Sequence, residues 1–158
     1  MPSTGESRDR FKKQFSRIGD AFEITSEATP TYNCIAWAIG ETERWWEGGE
    51  FSGYYWPSDV PTSHALDSLE LALRKIGFER SEVGAFDSRY ETIAIFEESD
   101  EEYSHVAKAL ANGHWSSKIG DAEDIEHYEL EALVGQRPAY GRFAFFMRRL
   151  VSEIPGSL

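Results

Sequence analysis

A single cysteine, Cys34, stands in a chain of 158 residues, so no internal disulfide is available and a reducing compartment is expected. Positive charge is scarce as well. Sixteen Lys and Arg against twenty-eight Asp and Glu leave a formal net charge of −12. Such a chain repels nucleic acid and anionic membrane, which excludes both as general partners, and it suits a basic protein partner. No apolar run approaches a membrane span and the N-terminus lacks the apolar core of a signal peptide. A cytoplasmic protein is therefore expected, with signal-independent export left open. One cysteine and scattered histidines offer no metal-ligand spacing, so neither a metal nor another cofactor is expected. What is plentiful is aromatic: 14% of residues, five of them Trp, within a hydrophobic fraction of 41%. That is enough to bury the core of one domain.

Read along the chain, Arg8, Arg10, Lys12, Lys13 and Arg17 fall in a segment where Phe11, Phe15 and Ile18 recur at helical spacing. Residues 1–20 are expected to form a basic amphipathic helix packed on a single α+β domain over 21–151, followed by a tail over 152–158. Phe22 and Ile24 mark a short strand. An aromatic, glycine-punctuated segment from Trp45 to Pro57 shows little periodicity, and long irregular stretches of this kind are often functional. Thr62 or Ser63 is placed to cap a helix carrying Leu66, Leu69, Leu73 and Ile76, with Gly77 at its end. Strands are expected over Glu91–Glu97, Tyr103–Leu110 and His114–Ile119, the last two joined by the turn Asn112-Gly113. A helix is predicted from about Glu123 to Val134, and a final strand over Tyr140–Leu150.

The chemistry centres on Thr31–Gly40. Pro30 and Gly40 punctuate a short helix, Asn33 is a good N-cap, and Cys34 falls at the first helical position, where the helix dipole favours a thiolate. A free cysteine also packs well as a small hydrophobe, so nucleophile and core filler both stand as readings. A nucleophile needs a base. His105 opens a strand with a small apolar interior and is the first candidate, with a plain structural histidine as the alternative. His127, three residues after Asp124, is a second; His64 and His114 read as solvated. A base in turn needs a polar group to hold its tautomer, and Ser116, Ser117 and Lys118 lie on the following strand. Trp37, Trp56 and Trp115 are the rings placed to line a substrate groove.

Cysteine at a helix start, histidine opening a hairpin, and a polar residue on the next strand: this order resembles the papain-like thiol hydrolases, in the compact form of the NlpC-type cell-wall peptidases. The resemblance implies a nucleophile helix packed on a small antiparallel sheet, with Cys34 as nucleophile, His105 as base and Ser117 in the orienting position, where the family more often carries His, Asn or Gln. Several stretches are also similar to a family of uncharacterised bacterial proteins: Tyr32-Asn33-Cys34-Ile35-Ala36-Trp37-Ala38, Tyr55-Trp56-Pro57, His105-Val106-Ala107, Trp115 to Gly120, and Asp124-Ile125-Glu126-His127. Three functions follow as expectations. The first is a cysteine hydrolase or acyl transferase acting on an amide of a peptide or protein, as a peptidase, amidase or deamidase, including an effector or toxin. The second is an acidic, non-catalytic immunity protein or inhibitor that covers a basic partner. The third is a degenerate member that keeps the fold and has lost the chemistry.

Overall fold

Ile93 and Ile95 alternate with Ala94 and Phe96 along one strand, and all four are fully buried. A strand apolar on both faces has to be covered on both sides. In the computed structural model, which describes residues 4–49, 53–98 and 101–153, that is how the chain is built. A seven-stranded antiparallel sheet carries one apolar cluster on each face. The strands are β1 (Phe22–Ile24), β2 (Glu79–Ser81), β3 (Tyr90–Glu97), β4 (Tyr103–Ala109), β5 (Trp115–Lys118), β6 (Asp124–His127) and β7 (Arg142–Leu150). Their order across the sheet is β1-β6-β5-β4-β3-β7-β2. The two edge strands are three residues each, which limits the unpaired backbone offered to other chains.

Among the described residues, three α-helices serve this sheet: α1 (Thr4–Gln14), α2 (Cys34–Ala38) and α3 (Leu66–Lys75). Helix α1 and the turn after it bury Phe11, Phe15 and Ile18 against Phe22, Phe96, Ala107 and Ile125 on one face. Its basic side chains meet the acidic body: Arg10 pairs with Glu123, and Lys12 with Asp20. Helices α2 and α3 cover the other face, where Ile35, Ala36, Leu69 and Leu73 pack on Ile93, Ile95, Val106 and Met147. Among the described residues, no helix is long and apolar enough to cross a membrane.

The expected α+β, papain-like arrangement is not what the chain forms. With 22% helix against 31% strand, a wide sheet dominates and the helices are short additions to it, so a helix packed on a small sheet is the wrong description. Two segments account for much of the difference. The helix expected over Glu123–Val134 is strand β6 followed by a single 3-10 turn, Leu130–Leu133. Asp124–His127 is held on both sides, by β5 and by β1, and this double pairing outweighs local helix preference. Strand β2 pairs with β7 where no strand was expected. Smaller shifts occur elsewhere. The N-cap of α3 is Ala65, while Ser63 instead accepts the Ala65 N–H and bonds the Ser68 hydroxyl. Helix α1 stops at Gln14, before Ile18. Residues 50–52 of the aromatic segment and the tail from 154 onward lie outside the described residues.

Candidate active site

Asn33 starts α2 as a side-chain cap: its Oδ1 accepts the Ala36 N–H at 3.2 Å. The same oxygen accepts the Trp46 N–H, and the amide nitrogen donates to the Trp46 carbonyl. One buried amide thus closes the helix start and pins the aromatic segment to it. The turn before Cys34 is tied to the sheet as well. Lys118, fully buried at the end of β5, donates from Nζ to the carbonyls of Thr29 and Gly120, and Tyr32 donates to Asp124 on β6. At the far end of α2, Arg149 on β7 donates to the Ile39 carbonyl. Five helical residues alone would be marginal; this helix is positioned by its anchors.

The helix lies over β4 and β5 where those strands part. The two pair at Lys108↔Ser116 and Ala109↔Trp115, and the pairing goes no further toward His105. A bulge at Ser104 also shifts the β3–β4 register, so that Phe96 faces His105 and Glu97 faces Tyr103. Without it, Tyr103 and His105 would share a face. With it, Tyr103 joins the cluster under α2, while His105 packs between Phe96 and Tyr140 on the opposite side. The His105 and Tyr140 rings lie flat on one another, 4.2 Å apart and 4° from parallel.

The structure brings His105 and Ser117 together. His105 Nε2 and Ser117 Oγ are 2.8 Å apart across the parted strands. Ser117 Oγ is also 2.7 Å from His127 Nε2, and His127 Nδ1 is 3.0 Å from the carbonyl oxygen of Glu129. All three side chains are fully buried. His105 Nδ1 is buried with no hydrogen-bond partner. A buried polar atom left bare in this way is uncommon and calls for an explanation.

Cys34 packs against the cluster under α2. Burial pushes its thiol up to about 11, while the backbone N–H groups of Val106, Ile35 and Cys34 itself partly offset that by favouring the thiolate. The sulfur therefore meets the β4 backbone at Val106, the residue after His105. Burial, together with charge on His127, holds His105 well below its ordinary value. At rest the Cys34 thiol is protonated and the His105 imidazole neutral, and no hydrogen bond joins the two.

A cleft of about 420 Å³ opens at this end of β4, lined in part by His64, Glu102, Tyr103, Ser104 and Tyr140. Trp56 stacks on Tyr103 at its flank. Trp37 lies on the α2 side, donating to Ser116 Oγ beneath the Lys108 ammonium. Trp115 is in the core under α1, stacked on Phe146, away from the cleft. His127 was legible as a candidate base, and its place is behind Ser117. Tyr140 and Arg149 carried no signal in the sequence, because each acts through a contact made 35 or more residues away.

These buried groups set a pH window for stability. His127 is pushed down to about 4 by burial, against an ordinary value of 6.5. Its folded-state value is lowered, so the unfolded chain takes up protons that the native state refuses. Stability then falls as pH drops from about 6.5 toward 4, by on the order of 1.4 kcal/mol per pH unit for one such histidine. Cys34 has the opposite shift: its contribution is complete below about 9 and is lost as pH rises toward 11. Urea unfolding followed across pH is expected to show a plateau between these limits, and the acid limb should become shallower in His127→Gln. An acid limb of unchanged slope in that variant would contradict the assignment.

Residues 23–148 match the family described as a domain of unknown function (DUF7689). No curated protein matches the chain, and no solved structure does.

Proposed function

We propose that this chain, which belongs to the DUF7689 family, is a cysteine-dependent hydrolase or acyl transferase acting on an amide of a peptide or protein. The observation that carries the reading is the bare, buried Nδ1 of His105, on the residue that precedes Val106, whose backbone N–H bonds the Cys34 sulfur. As the sulfur attacks the substrate carbonyl, Nδ1 takes the thiol proton; the new S–C bond forms as the carbonyl π pair moves to oxygen. The Cys34 N–H supplies one donor to that oxygen. The imidazolium returns the proton to the leaving amine, and water or a second nucleophile then cleaves the thioester. Because the resting thiol is protonated, His105 acts during attack and not by holding a thiolate in advance.

The test uses p-nitrophenyl acetate as acyl donor. Wild type is expected to release p-nitrophenolate in a burst and to carry one acetyl group, mapped to Cys34 by mass spectrometry; Cys34→Ala should show neither. Equal release by the two proteins, or acetylation mapped elsewhere, would reject the proposal. An acidic binding protein with an inert cysteine is what that outcome would leave.

A further inference from the structure

The Glu129 carbonyl sets the direction of every proton in the buried chain that ends at His105. A carbonyl oxygen only accepts, so at 3.0 Å the proton lies on His127 Nδ1. In the neutral ring, Nε2 of His127 is then a lone pair, and across 2.7 Å it must accept the Ser117 hydroxyl proton. Having spent its only proton, Ser117 Oγ can only accept from His105, across 2.8 Å. His105 therefore carries its proton on Nε2. Burial keeps both rings neutral, so each has one proton to place. The reverse assignment would set the lone pair of His127 Nδ1 against those of the Glu129 carbonyl.

We infer that His127 is a positioning residue: through the Ser117 hydroxyl it fixes His105 in the tautomer protonated on Nε2, leaving Nδ1 as the bare nitrogen. The role in catalysis rests on the reading of His105 as the base for Cys34. The design explains why a serine suffices in the orienting position. A serine alone is ambivalent, since its hydroxyl can donate or accept, and it would hold either tautomer of His105. Backed by His127, it is committed to one. His127 is suited to the task because its backbone is fixed from both sides, by Trp115 on β5 and Phe22 on β1.

Long-range nitrogen–proton correlation spectra of the labelled full chain at neutral pH report the tautomers directly, with His105→Gln and His127→Gln assigning the signals. His105 is expected to show an unprotonated Nδ1 and a protonated Nε2, and His127 the reverse. In His127→Phe the Ser117 hydroxyl is free to donate to His105 Nε2. The His105 ring should then populate both tautomers, with an Nδ1-protonated form absent from wild type, and acetylation of Cys34 should slow in proportion. His127→Gln offers an amide N–H to Glu129 and a carbonyl to Ser117, and should keep both tautomer and rate near wild type. The inference is overturned if wild-type His105 carries its proton on Nδ1, or if its tautomer is unchanged in His127→Phe. Absent acetylation with the tautomers as expected would reject the hydrolase reading alone; normal acetylation with His105 protonated on Nδ1 would reject the relay alone.

Discussion

Replacing His105 with alanine is expected to slow acetylation of Cys34 by about two to four orders of magnitude at neutral pH. The size follows from the state of the thiol. With its value pushed up to about 11, the buried sulfur is ionised to only about one part in ten thousand at pH 7, so free thiolate contributes little. A base that removes the proton during attack has to carry the rate. The pH profiles should differ in kind. Wild type, with a neutral His105 throughout, should be nearly flat from about pH 7 to 9, because the thiol and the bare imidazole are the working forms. His105→Ala should climb about tenfold per pH unit toward 11, because it depends on the thiolate. Added imidazole should restore part of the rate in the alanine variant and leave wild type unaffected. Removing a ring stacked at 4.2 Å on Tyr140 also costs packing, so His105→Gln is the companion variant, and it should show the same steep profile. A flat profile in both variants would mean that His105 is not the base.

The second large effect is structural. Arg149→Met is expected to lower the free energy of unfolding by about 3–5 kcal/mol. Arg149 is nearly buried in β7, and its guanidinium binds three acceptors: Glu91 Oε2 at 3.0 Å, the Ile76 carbonyl at 2.9 Å and the Ile39 carbonyl at 3.1 Å. Ile39 and Ile76 are the residues that end α2 and α3. Both helices thus deliver an orphan carbonyl to one cation on the sheet. Methionine matches the stem but leaves three acceptors without a donor, and lysine, with a point charge in place of a planar fork, should recover only part of the loss. Chemical unfolding gives the number. Because Arg149 holds the far end of α2, acetylation of Cys34 should slow in the folded fraction too. An Arg149→Met protein as stable as wild type would show that water satisfies those carbonyls and that the helix is held otherwise.

How much of this was legible in the chain varies with the range of the forces involved. The hairpin over Tyr103–Lys118 could be read because the turn signal at Asn112-Gly113 and the alternation around it are local, although the connection is a three-residue loop in which Leu110 faces His114 and only Gly113, at φ 87°, is left-handed. The His105–Ser117 contact lies beyond the paired residues Lys108↔Ser116 and Ala109↔Trp115 and is made by side chains across the parted strands. The helix expected over Glu123–Val134 failed for a physical reason. Asp124-Ile125-Glu126-His127 alternates as a strand, with Ile125 and His127 buried under α1, but four residues are too few to reveal a period. Its identity comes from Trp115–Lys118 and Phe22–Ile24 on either side, which no window along the sequence contains. Trp115 was read as a groove residue and lies in the core, since a large ring signals burial as readily as it signals recognition.

By itself, then, the sequence determined the elements whose causes are local: the Asn33 cap, the start of α2 at Cys34, the Asn112-Gly113 turn and the apolar stripe of α3. Only the tertiary structure decided what those elements mean for one another. Seven strands close around them because β6 pairs on both sides and β2 finds β7. The bulge at Ser104 turns His105 away from the face that Tyr103 joins. The protonation states at the site are tertiary facts as well. Burial by the surrounding chain raises the Cys34 thiol, and the proposed proton placement on His105 is set from a carbonyl at Glu129, three side chains away. Desolvation and proton placement depend on everything packed around a group, and that information is spread over the whole fold.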